Sequence, residues 1–79
     1  MGMLKLYNRL KELRARHNLT QEQLADAVGV TRQTIISIEG GDYSPSLFLA
    51  LRIVRRLQVS LEEVFWLEGR DGGRGTQQR

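Results

Sequence analysis

L-T-Q-E-Q-L-A-D-A-V-G-V-T-R-Q-T-I-I-S-I-E, residues 19–39, decides how the rest of this chain is arranged. Thr20 stands where a helix N-cap belongs, and Gln23 follows three residues on. That is capping-box spacing, with the Gln side chain reaching back to the cap amide. Leu24, Ala25 and Val28 recur at three- and four-residue steps and make one face of a short helix. Gly29 ends it, because glycine takes positive φ without a steric penalty. Thr31 caps a second helix as a lone side chain, since the position three residues later holds Thr34 rather than Glu or Gln. Ile35 and Ile38 continue the buried face, while Arg32, Gln33, Thr34 and Ser37 fall off it. Two short capped helices joined by a tight glycine turn make a helix-turn-helix.

Working outward, Leu6, Leu10, Leu13 and His17 share one helical stripe, which predicts a first helix from Asn8 to His17 with Asn18 ending it. Met3 to Tyr7 partly alternates apolar and polar, and reads equally as a short strand or as the start of that helix. Gly40-Gly41-Asp42-Tyr43-Ser44-Pro45 is a loop by composition. Ser44 or Ser46 opens a fourth helix, with a core stripe of Leu47, Leu51, Val54 and Leu57. Ser60 and Glu63 have capping-box spacing for a fifth, with Leu61, Val64 and Phe65 facing inward. The expected fold is therefore an all-α bundle of five short helices. Residues 1–69 form the domain, and residues 70–79 are predicted to be a disordered Gly/Arg-rich tail.

The chain has 79 residues, enough for one domain, and one this small buries only about 60% of its unfolded surface. It has no cysteine, so neither disulfides nor thiolate metal sites support it; this fits a reducing compartment, and a cytoplasmic location is expected. No apolar run approaches the roughly 20 residues of a membrane span. Met1-Gly2-Met3 leads straight into mixed sequence, without a leader pattern or a myristoylation motif. The formal net charge is +3, and its distribution says more than its sum. Residues 1–20 carry five bases against one acid, and residues 21–45 carry four acids and only Arg32 as a base.

The set Thr20-Gln21, Leu24-Ala25, Val28 to Thr31, Ile35 and Glu39 resembles the lambda-repressor/Cro-like (Xre-type) helix-turn-helix family. Downstream, Tyr43, Pro45-Ser46-Leu47, Leu49-Ala50, Ile53, Leu57, Val59 and Glu63-Val64-Phe65 resemble its small single-domain branch. The likeness covers about residues 8–68. It implies a lambda-repressor-like bundle, extended by a small antiparallel ribbon that pairs residues 3–7 with 65–68. It also implies a sequence-specific regulator of transcription, in its commoner mode a repressor, bound to double-stranded DNA. Arg32, Gln33, Thr34 and Ser37 match the family's base-reading positions, where composition alone reads them as a solvated helix face. Arg grips guanine and Gln grips adenine through two bonds each, and Thr34 suits a thymine methyl. Gln21 and Thr31 open the two helices, where backbone amides and side chains meet phosphate oxygens. Lys11 and Arg16 read equally as phosphate contacts and as a solvated face. In the family a base at the Arg14 position often pairs with an acid at the Glu39 position, so a structural ion pair is expected there. Two features depart from the pattern. Gly40 to Asp42 replace a loop that often holds Asn and a base, so that Asp42 repels phosphate, and Ile36 occupies a position often polar.

Phe48 and Trp66 are left over once the core is filled. Trp66 and Leu67 are assigned to the centre of a homodimer interface, with Phe48 at its edge; Phe48 reads equally as packed within its own chain. Dimerisation doubles a small DNA interface and sets half-site spacing. No enzyme is expected. His17 is a lone histidine at a helix end, and Glu62 and Glu63 point about 100° apart on a helix. No nucleophile–base–orienter set can be assembled. No metal, cofactor or small-molecule ligand is indicated. The rival from another class is a protein-interaction module, an antitoxin or adaptor, for which Phe48, Trp66 and the acidic loop at Asp42 speak. Because residues 70–79 hold no large apolar side chain, truncation after Gly69 is expected to leave the melting temperature unchanged, and a large drop in a thermal melt would show that the tail packs.

Overall fold

Five short helices and one two-stranded ribbon account for residues 3–69, the residues that the computed structural model describes. In chain order these are β1 (Lys5–Asn8), α1 (Leu10–Arg16), α2 (Gln21–Val28), α3 (Arg32–Glu39), α4 (Leu47–Leu57), α5 (Leu61–Val64) and β2 (Phe65–Glu68). The tail expected over 70–79 lies outside the described residues.

Local chemistry places most of these ends. The Thr20 hydroxyl accepts from the Gln23 amide at 3.0 Å, and the Gln23 side chain accepts from the Thr20 amide at 2.8 Å, closing the capping box. Gly29 sits at φ 80, and both its N–H and that of Val30 reach the Ala25 carbonyl. Ser46, not Ser44, caps α4 by accepting from Leu49. At the start of α5, the Ser60 amide donates to the Glu63 carboxylate at 2.7 Å.

The first helix begins at Leu10, two residues later than the stripe predicted, because Asn8 belongs to the ribbon. Its Oδ1 accepts from the Leu10 amide at 3.0 Å and so caps α1 from outside. Its Nδ2 donates to the Ile38 carbonyl at 2.9 Å, near the end of α3. The neighbouring Arg9 amide donates to the Val64 carbonyl at 3.0 Å. Leu6 is accordingly a strand residue and not part of the helical stripe. The ribbon is antiparallel, pairing Lys5 with Glu68, Leu6 with Leu67, Tyr7 with Trp66 and Asn8 with Phe65.

The core lies between the helices, with Leu10, Leu24, Ile35, Ile53 and Val64 shut off from solvent. The predicted stripe on α4 needs correction. Leu47 and Leu51 are exposed, and Leu49, Ala50 and Ile53 take their place beside Val54 and Leu57. The helix is apolar around much of its circumference, so helical spacing alone fits two neighbouring stripes. Packing against α2 and α5 selects the one centred on Ile53.

One charged pair, Arg14 and Glu39, is partly buried beside this core. Glu39, at the end of α3, accepts from Arg14 Nε at 2.7 Å and Nη2 at 3.3 Å, and from Gln21 Nε2 at 3.1 Å. Arg14 also donates through Nη1 to the Leu19 carbonyl at 2.8 Å. Their side chains are only 13% and 6% exposed, which places this pair in the regime where losing one partner is costly. Glu39→Gln and Arg14→Met are each expected to cost about 3 kcal/mol in urea unfolding, and the double variant less than the sum; strict additivity would show that the two do not interact. Asn8→Ala, which removes a cap and a long-range hydrogen bond, is expected to cost about 1–2 kcal/mol in the same measurement.

Candidate nucleic-acid interface

The third helix is two-sided. Ile35 and Ile38 are buried beneath it, Arg32 and Gln33 stand exposed at its start, and Thr34 and Ser37 are half-buried on its outer side. Burial of the two isoleucines sets the rotation of the helix about its axis, and the Gly29 turn sets its angle to α2. Its start is held by Thr31, whose hydroxyl accepts from the Thr34 amide at 3.3 Å and lies 3.1 Å from the Thr34 hydroxyl. Gln33 Nε2 lies 3.5 Å from Ser37 Oγ, one turn on. Among the described residues Arg32 forms no salt bridge, so its guanidinium is available to a ligand.

Gln21 and Thr31 both open helices, and both side chains are engaged. Gln21 donates to Glu39, and the Thr31 hydroxyl is bound to Thr34. What each helix start offers an anion is chiefly its unpaired first-turn N–H groups, which lack intrahelical acceptors. Arg16 pairs with Glu12 at 2.6 Å on an exposed surface.

Two residues not singled out as readers from the sequence also belong to this face. The Asp42 amide donates to the Ser37 carbonyl at 2.9 Å, which folds the α3–α4 loop back along α3. Asp42 and Tyr43 then join Thr31, Gln33, Thr34 and Ser37 around one open concavity of about 290 Å³. The sequence cues are the acid at Asp42, in a loop where it repels phosphate, and the aromatic that follows it directly.

The residues assigned to an interface fall into two places. Trp66 stacks on Tyr7 at 6.5 Å between ring centroids, lies under the Arg9 guanidinium at 5.4 Å, and donates to Glu68 at 2.7 Å. With Leu67 it borders an apolar groove of about 390 Å³ whose walls include Leu6, Pro45, Leu47 and Leu61. Phe48 is 71% exposed in a different groove, among Arg52, Arg55 and Arg56, with the Arg52 guanidinium 5.7 Å from its ring. Among the described residues there is no His, Cys, Asp or Glu cluster able to hold a metal, and no helix long and apolar enough to cross a membrane.

Known proteins share this arrangement. A helix-turn-helix family model matches residues 10–64, a span that runs from the start of α1 to the end of α5. The helix-turn-helix-type transcriptional regulator YgzD of Bacillus subtilis is 57% identical over 61 residues, 77% of this chain and 92% of that protein. A helix-turn-helix-type transcriptional regulator of Methanocaldococcus jannaschii is 56% identical with the same coverage. Among solved structures, the restriction-modification controller protein C.AhdI from Aeromonas hydrophila superposes with a TM-score of 0.66 and 34% identity, over 70% of this chain and 83% of that one. The transcriptional regulator VanUg superposes at 0.70 with 20% identity, over 87% and 91%, a likeness of fold alone. With the capped α2–turn–α3 unit at its centre and these relatives around it, the chain belongs to the Cro/Xre-like helix-turn-helix family.

Proposed function

We propose that this protein is a sequence-specific, double-stranded-DNA-binding transcriptional regulator, a cytoplasmic repressor that acts as a homodimer on an operator of two half-sites. The observation that carries this reading is the two-sided α3, with Arg32, Gln33, Thr34 and Ser37 turned outward on a helix anchored by Ile35 and Ile38. Its relatives' names, helix-turn-helix-type transcriptional regulators, support it. In this reading α3 enters the major groove. Arg32 donates two hydrogen bonds to guanine O6 and N7, and Gln33 pairs with adenine N6 and N7. Ser37 and the Thr34 methyl contact the next base edges. The first-turn amides of α2 and α3 bind phosphates and set the register. Occupied promoter DNA is closed to other proteins, which is repression. The apolar groove bordered by Leu67 is where a second copy doubles the contact.

A protein-interaction module is the second reading. It is favoured by Asp42 on the wall of the reading concavity and by Phe48 exposed among arginines. A partner that co-purifies with the chain, together with no salt-dependent shift of duplex DNA, would select it.

The two kinds of DNA contact fail differently. Arg32→Ala or Gln33→Ala is expected to cost about 1–3 kcal/mol on the best operator and to relax base preference at one position per half-site. Substitution of Gln21 is expected to weaken all duplexes evenly, because it disturbs the start of α2. Parent binding is expected to fall steeply with salt as counterions are released. Titration of selected and scrambled duplexes at several salt concentrations reads all three. Unchanged affinity and selectivity in the Arg32 and Gln33 variants would remove α3 as the reader.

A further inference from the structure

We propose that the groove holding Phe48, Arg52, Arg55 and Arg56 docks an acidic segment of another protein, one that carries an apolar side chain among its acids. This goes beyond the DNA reading and does not depend on it.

The groove is open, has a volume of about 700 Å³, and is walled by α4 on one side and by Ala27 of α2 on the other. Phe48, Arg52 and Arg55 follow at four- and three-residue steps, so they lie along one line of α4, with Arg56 beside them. Phe48 is 71% exposed, and the three arginines are exposed as well. The Arg52 guanidinium stands 5.7 Å from the centre of the Phe48 ring, an attraction that holds the cation in place but supplies no counter-ion. Among the described residues none of the three arginines forms a salt bridge, and no acid lines the groove. Arg55 and Arg56 belong to the last turn of α4, where positive charge complements the helix dipole. That does not account for Arg52 in mid-helix or for a phenylalanine left in water in the first turn.

Charge and shape select the occupant. Carboxylates match guanidinium forks through paired hydrogen bonds, and an apolar side chain covers Phe48. A phosphate backbone would use the arginines and leave Phe48 exposed. A small ligand needs a site that encloses most of its surface, whereas an extended chain can lie along an open groove. A second copy meeting the groove face to face would set arginine against arginine. One that offered Glu22 and Asp26, exposed on α2, would make a head-to-tail contact that does not close on itself. The groove shares no residue with the concavity bordered by Gln33 and Ser37, or with the apolar groove bordered by Leu67. Docking here therefore leaves both of those surfaces free.

Fluorescence anisotropy with the full chain tests the site. The probes are a labelled peptide with a leucine flanked by glutamates, the same peptide with glycine for leucine, and a single-stranded oligothymidylate. The leucine peptide is expected to bind about tenfold more tightly than the glycine peptide. Phe48→Ala is expected to erase that difference, while Arg52→Gln and Arg55→Glu weaken both peptides about tenfold or more. Lys5→Gln, which removes a charge outside the groove, is expected to weaken neither. All four positions are exposed, and thermal melts by circular dichroism check that each variant is folded. No binding of the leucine peptide, equal binding of the two peptides, or equal loss in the Lys5 variant overturns the proposal. So does an oligothymidylate that displaces the leucine peptide and is itself weakened by Phe48→Ala, which would assign the groove to nucleic acid. Duplex titrations of the same samples keep the two readings apart: peptide binding without any duplex shift removes the DNA reading alone.

Discussion

The Glu39 carboxylate is the constraint on which the rest of the arrangement depends. A nearly enclosed carboxylate has to be supplied with hydrogen-bond donors, and here they come from two other parts of the chain. Arg14 of α1 provides two and Gln21 of α2 a third, while Arg14 also takes the carbonyl of Leu19 in the turn between them. Replacing such a group with a well-packed apolar cluster is often neutral or stabilising, so its value here is positional. It sets where the start of α2 stands relative to the end of α3. Those are the two helices whose relative placement decides what a groove in DNA would meet.

Asn8 does the same work from the other side. A chain this short has few apolar side chains to hold its elements in register, and its polar side chains bridge where packing runs out. One amide caps α1 and grips the end of α3, and the next backbone amide ties that corner to α5. The ribbon is therefore a strap across the ends of α1, α3 and α5 rather than an appendage. Tyr7 and Trp66 stack on one face of it, with Asn8 and Phe65 turned toward the core on the other.

The features legible in the sequence are those whose cause is local. The Thr20–Gln23 box, the positive φ of Gly29 and the Thr31 cap are each decided within four residues, and each appears in the structure. The unread features depend on contacts between distant residues. Asn8 looked like an ordinary helix start because its partner Ile38 lies 30 residues away. Leu47 and Leu51 satisfied helical spacing as well as the true core residues do, and only the position of α2 and α5 separates the two stripes. Tyr43 reaches the outer face of α3 through a loop turn that composition does not specify. Gln21 opens a helix, where a phosphate contact is expected, and its hydrogen bond to Glu39, 18 residues away, is not legible from that place.

Charge explains why, within the proposed reading, one copy is a weak DNA ligand and two are needed. Residues 21–45 contain four acids and one base, so the element that would approach DNA is the most acidic part of the chain. Pairing with Arg14 cancels Glu39. Glu22 and Asp26 remain exposed on α2, and Asp42 stands on the wall of the reading concavity. Long-range attraction to phosphate is correspondingly small, and so is the sequence-independent affinity that it supplies. What is left is short-range: helix-end amides on phosphates, and Arg32 and Gln33 on base edges. Such contacts discriminate between sequences but sum to little over one half-site. Doubling them through a two-fold adds the discriminating terms of both halves while leaving the non-specific term low. A modest net charge of +3 is then no obstacle to specific binding, because it raises the ratio of specific to non-specific affinity on which site selection depends.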